Sequence, residues 1–223
     1  MHYTLTRSAR KTTAIYIRDG QVEVRAPFYM TRRAIDRFVA EKVPWINKNV
    51  AEQTTQIEQK KAFSTDYGST LTLRGKPYPI TQRHNPYAEF DDDAFYMPPG
   101  LQPPQIKTLC IRLYKILAQM HITQRVDFFA RKMKVEPIVT KINSATKRWG
   151  SCSSQKSLNF TWRLIMADDE AIDYVVVHEL AHILQPDHSP QFWAIVQKFL
   201  PDYPNRQAKL KELQTCLNSE DWS

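Results

Sequence analysis

Apolar and polar positions alternate near the start of the chain, recur at helical spacing through its middle, and then alternate again. Thr13 to Arg18 and Gln21 to Ala26 read as strands, and Asp19-Gly20 between them is a two-residue hairpin signal. Pro27 ends the second strand. Thr31 is placed to cap a helix that carries Ile35, Phe38 and Val39 on one side. Pro44-Trp45 opens a further helix that turns polar by Lys61, with Trp45 expected to anchor in the core. Thr70 to Leu73 and Tyr78 to Gln82 form a second expected hairpin around Arg74-Gly75-Lys76. Asp91-Asp92-Asp93 lacks the spacing of a calcium loop and reads as a solvated turn. Pro98-Pro99-Gly100 and Pro103-Pro104 then punctuate the chain. The domain boundary is expected there: residues 1–100 form an N-terminal α+β region, and residues 101–223 a second domain.

That second domain opens with a helix from Gln105 to about Met133. Leu109, Leu113, Ile116, Leu117, Met120, Val126 and Phe129 form its expected stripe. Ile138–Ile142, Lys147–Cys152 and Leu158–Ile165 read as strands. Asp168-Asp169-Glu170 supplies a cap and a negative first turn for the next helix. Ser189-Pro190 starts another over Gln191–Leu200, and Asn205–Leu217 looks like a short covering helix. The fold class is α+β.

At 223 residues and 42% hydrophobic content, the chain can bury one or two cores. No run of about 18 apolar residues occurs and the first residues lack a signal-peptide pattern, so a cytoplasmic protein without a membrane partner is expected. Cys110, Cys152 and Cys216 are too few and too scattered for a disulfide framework. The net charge of +8 is uneven: residues 101–147 carry 9 basic and 2 acidic groups, whereas residues 148–223 carry 7 and 10. Nucleic acid is therefore a possible partner of the basic stretch, although such an excess is more often a solvated face.

The chemistry gathers at His178-Glu179-Leu180-Ala181-His182. On a helix the two imidazoles share one face and grip one metal ion, with the Glu close enough to handle a proton on water. Ile172, Val176, Val177, Leu180, Ile183 and Leu184 fall on the opposite face. Pro186 forces a turn where His188 swings back as third ligand; Glu212 is the weaker alternative. Three ligands leave the open position that Zn²⁺ hydrolysis needs. Tyr174 falls near the metal face, and Asp173 on the back needs a cationic partner, with Arg148 and Arg163 as candidates. Cys152 reads as a small buried residue, and His121 as a satisfied lone histidine.

Arg148-Trp149-Gly150-Ser151-Cys152-Ser153, Asp173-Tyr174-Val175-Val176-Val177-His178-Glu179-Leu180-Ala181-His182 and His188-Ser189 with Phe192-Trp193 together resemble the YgjP-like metallopeptidase family. With Leu158-Asn159, Trp162-Arg163-Leu164 and Pro201-Asp202-Tyr203, the motifs run across residues 148–203. His188-Ser189-Pro190-Gln191-Phe192 is also similar to SprT-like proteases. A metzincin pattern would need Gly at Gln185 and a methionine after Met166, and has neither. The resemblance implies a zincin-like core and a zinc metallopeptidase acting on protein or peptide substrates, with Glu179 as general base. It further implies that Leu158–Leu164 is the edge strand to which substrate adds. Two rival readings are a protease of nucleic-acid-associated proteins and a non-enzymatic module that keeps zinc for stability.

Overall fold

The computed structural model describes residues 1–222 of the chain, which divides into two compact units. The first comprises residues 1–63 and 218–221. Its sheet has the order β1-β3-β2, with β1 (Thr4–Ser8) parallel and β2 (Ala14–Arg18) antiparallel to β3 (Gln21–Pro27). Asp19 and Gly20 both take left-handed conformations, φ 51° and 73°, as a tight hairpin turn requires. Strand β1 is not evident in the sequence: T-L-T-R-S is polar and borrows its order from β3. Helices α1 (Arg32–Glu41) and α2 (Val43–Ala62) follow, and Thr31 caps the first by accepting from the Ala34 amide at 3.3 Å. Val24, Ala26, Ile35, Val39 and Ile46 close the core. Trp45, the expected anchor, is 49% exposed while its neighbour Ile46 is fully buried, so the helix turns inward one position later.

The second unit comprises residues 64–217 and Trp222. The break between compact units thus lies at Phe63/Ser64, not near residue 100. Strands β4 (Thr70–Leu73), β5 (Lys76–Gln82), β6 (Glu89–Phe90) and β7 (Phe95–Met97) form a sheet ordered β4-β5-β7-β6 that belongs to the second core. The Arg74 amide donates to the Ile165 carbonyl at 2.8 Å and the Gly75 amide to that of Met166 at 3.1 Å. Phe95 lies 5.5 Å from the Tyr114 ring, which stacks on Trp162. Asp91–Asp93 turns between β6 and β7, where Arg83 pairs with Asp91.

Helix α3 (Pro103–Met133) begins with two prolines and is capped by Gln102 and Gln105. Its buried row runs through Ile106, Cys110, Tyr114, Ala118 and Ile122. Ile116 and Met120, expected inward, are 54% and 68% exposed, because the inner row contains Cys, Tyr and Ala, which give a weaker apolar signal. Strands β8 (Val139–Asn143), β9 (Gly150–Cys152) and β10 (Ser157–Thr161) form a sheet ordered β8-β10-β9. The expected strand Leu158–Ile165 ends at Thr161 and passes into a 3-10 turn, Trp162–Met166. It is also central; the edge nearest the next helix is β9.

That helix, α4 (Asp169–Leu184), is buried on most sides at Ile172, Val176, Val177 and Leu180, while Leu184 is 48% exposed at its end. Helices α5 (Pro190–Phe199) and α6 (Tyr203–Asn218) complete the chain. The fold is α+β, with the small sheet beside the H-E-x-x-H helix expected of a zincin-like core. No helix among the described residues is long and apolar enough to cross a membrane.

Candidate metal centre and substrate cleft

Asp168 caps α4 by accepting from the Ala171 amide at 2.8 Å, and further along the helix His178 and His182, one helical spacing apart, lie with ring centroids 5.0 Å apart. After Gln185 the chain turns. The Asp187 carboxylate accepts from Gln185 Nε2 and the Ser189 amide, which fixes the loop carrying His188. His188 returns so that its Nε2 lies 3.1 Å from Nε2 of His178. One ring nitrogen from each of the three histidines falls within 4.8 Å of the others. The ring of Phe192, fully buried on α5, packs 4.6–4.8 Å from all three imidazoles. Trp193 flanks His178 and His188 and stacks on Tyr203, which stacks in turn on Tyr174.

Burial, reinforced by the two neighbouring histidines, pushes His178 down to about 4. Burial also lowers His182, with His188 adding to the effect. Neutral imidazoles offer lone pairs, and His178 Nδ1 is a buried polar atom without a hydrogen-bond partner. No fourth His, Cys, Asp or Glu joins the group among the described residues. This donor set fits one divalent cation with a position left open. Glu212 is not part of it.

Glu179 is only 6% exposed. Its carboxylate lies against the backbone of Gly150 on β9, where an added Cβ would come within 2.6 Å of Oε1 and 2.7 Å of Cγ. Burial pushes the carboxyl up to about 7, opposed by the charge of Arg148 and a hydrogen bond from the Cys152 amide. Burial and then the Glu179 charge raise the Cys152 thiol, which leaves it protonated rather than nucleophilic. Tyr174 is buried beside His178 and pushed up to about 12 by burial first, so it stays a neutral phenol.

Two clefts meet at Gly150, His178 and Glu179. One, of about 790 Å³, is walled by Trp149, Tyr174, Val175 and the α6 residues Leu210, Lys211 and Gln214. The other, of about 580 Å³, is bounded by Arg148, Cys152, Lys156, His182 and His188. Helix α6 is thus a wall of the cleft as well as a cover, which its Lys-Leu pattern does not signal. The partner of Asp173 is neither Arg148 nor Arg163 but Arg125 of α3, with Nε and Nη2 at 2.6 and 2.8 Å. Arg163 instead donates to the backbone carbonyls of Ser144 and Trp222. His121 lies away from the triad and contacts Asp169 at 2.9 Å. The roles of Gly150, Phe192 and Arg125 all depend on long-range contacts; for Phe192 and Gly150 the signal was their place in the matched motifs.

The sequence matches the model of the YgjP-like metallopeptidase domain over residues 11–213. No curated protein matches it. Among solved structures it is similar to the metallopeptidase zymogen of Pyrococcus abyssi abylysin, at 18% identity over 44% of this chain and 97% of that one, TM-score 0.39. It is also similar to the metallopeptidase zymogen of Methanocaldococcus jannaschii jannalysin, at 22% identity over 43% and 96%, TM-score 0.37. With most of its length, motifs and the three histidines included, matched by the domain model, the chain belongs to the YgjP-like metallopeptidase family.

Proposed function

We propose that this protein is a zinc-dependent metallopeptidase in which His178, His182 and His188 hold the metal and Glu179 is the general base. The observation that carries the reading is the convergence of three imidazole nitrogens within 4.8 Å beside a buried glutamate at the meeting of two clefts. His178, His182 and His188 would hold the zinc ion, whose Lewis acidity would make a water more acidic and polarise the scissile carbonyl. Glu179 takes the proton of the attacking water and delivers it to the leaving amine. Its raised proton affinity suits a group that must both accept and return a proton near neutrality. Gly150 leaves the carboxylate room, and the Cys152 amide orients it.

Strand β9 replaces the strand expected from the sequence as the docking edge. The Ser153 amide and Trp149 carbonyl that flank it bond to β10, so by strand alternation the backbone groups of Gly150 and Cys152 face outward; the Cys152 amide goes to Glu179, which leaves the Gly150 amide and the Gly150 and Cys152 carbonyls for a substrate. An extended substrate adds there by backbone pairing. The test compares wild type with Glu179→Gln on an unfolded protein substrate with zinc present. Turnover is expected to fall about 10²–10⁴-fold with unchanged melting and zinc content. A variant as active as wild type would remove Glu179 from the mechanism.

A further inference from the structure

Residues 148–223 carry more acids than bases, yet five of those acids are paired with cations away from the cleft. Asp168 and Glu170 pair with Lys209, Asp169 with Arg74, Asp173 with Arg125, and Asp202 with Arg206. Asp187, the acid nearest the triad on its loop, is turned into hydrogen bonds with Gln185 and Ser189. The cations remaining at the site point the other way. Arg148 and Lys156 line one arm of the cleft and Lys211 the other; all three are exposed and, among the described residues, form no ion pair. Lys156 is held at the tip of the β9–β10 turn in a left-handed conformation, φ 57°. Among the described residues, Glu179 is the only acid lining either arm, and it is buried at their junction.

A cleft with cations at both ends and, among the described residues, no acid in its lining besides Glu179 presents a positive field along the path of an extended chain. We infer that the preferred substrate is an acidic polypeptide segment, with Asp or Glu side chains on both sides of the cleaved bond reaching Arg148 and Lys156 on one arm and Lys211 on the other. The inference rests on the peptidase reading for the position of the bond. Polypeptide is favoured over nucleic acid because the walls between these cations are the edge of β9 and the pocket of Val175 and Leu210, which suit backbone pairing and a side chain. Of the aromatic rings that line the two arms among the described residues, Tyr174 is buried and Trp149 stands alone, so the lining offers no row of rings for stacking bases.

The test uses the full-length, zinc-loaded Glu179→Gln protein, so that binding is read without cleavage. A fluorescein-labelled Glu-rich peptide, its Gln isostere and a labelled oligothymidylate of matched length are compared by anisotropy at low and moderate salt. The Glu peptide is expected to bind more tightly than the Gln peptide, with a preference that shrinks as salt rises. Lys156→Glu and Lys211→Glu are each expected to weaken it about three- to tenfold, and Lys156→Gln by less. Equal binding of the Glu and Gln peptides, no binding of either, or a preference untouched by both reversals would overturn the inference. So would tighter binding of the oligonucleotide through the same lysines. Cleavage is scored separately with wild type on the Gln and Glu peptides and unfolded protein. Cleavage without acidic preference overturns this inference alone, whereas absence of all cleavage counts against the peptidase reading and leaves the binding result standing.

Discussion

A methyl group at residue 150 is the smallest change that reaches the chemistry. Gly150→Ala places Cβ within van der Waals overlap of the Glu179 carboxylate, which is too buried to move aside into solvent. Turnover is expected to fall toward that of Glu179→Gln, with zinc content nearly unchanged because the histidines are not displaced. A steady-state kcat and KM comparison, beside metal analysis, checks this; a wild-type kcat would show that Glu179 relaxes freely. Phe192→Ala should act differently. The ring supports all three imidazoles, and its removal leaves a core cavity that costs about 3–5 kcal/mol and loosens the metal ligands. Thermal melting with and without zinc would separate these two losses. The identity of the histidines and glutamate was legible in the sequence because their spacing lies within one helix and one turn. Gly150 and Phe192 stand in the motifs, but their purpose was not legible, because it is set by what approaches them, and in both cases that is a residue on another element.

Elements were legible wherever their instructions are local. Asp19-Gly20 dictates its turn, Thr31 and Asp168 cap their helices, and Pro186 ends α4. What escaped was set across the fold. Arg125 reads in sequence as part of a basic face for nucleic acid, yet it is committed to Asp173, and both side chains are largely covered, 26% and 14% exposed. Arg125→Ala should therefore destabilise by about 1–3 kcal/mol, between the surface and buried limits for ion pairs, and Asp173→Asn should recover part of the loss in a double-mutant cycle. Additive single effects would show that the pair is not coupled. The other clamp, from β4–β5 to the first turn of α4, is pH-dependent. The Arg74 guanidinium holds the Asp169 carboxyl below the usual carboxylate range, with His121 contributing. A depressed folded pKa adds stability above the unfolded value of about 3.9 and loses it as pH falls through the folded value. Asp169→Asn should thus melt below wild type at neutral pH, with the gap closing under acid conditions; a gap constant with pH would contradict this linkage.

At the scale of the whole molecule, the question is which part of the chain carries the site on its own. Composition and proline punctuation point to a cut near residue 100, since Pro98-Pro99-Gly100 is the strongest local break. Packing points elsewhere, because the β4–β7 sheet completes the core on which α4 rests. Tyr114, fully buried, leans on Phe95 and stacks on buried Trp162, and its hydroxyl donates to the Thr72 carbonyl at 2.8 Å. Arg74 and Gly75 bond to the turn that leads into α4, and Gly75 sits so close to Asp168 that a Cβ would approach it to 3.0 Å. A fragment of residues 64–223 keeps all of these contacts. A fragment of residues 101–223 strips them, exposing large aromatic surface and unpairing the Ile165 and Met166 carbonyls at the entry to the H-E-x-x-H helix. The longer fragment is expected to melt cooperatively and bind one zinc, whereas the shorter one should aggregate or unfold without a transition and bind metal weakly. Circular dichroism melts and zinc stoichiometry on both fragments decide between the two boundaries. A 101–223 fragment that melts as cooperatively as 64–223 and holds as much zinc would mean that the β4–β7 sheet is dispensable to the site.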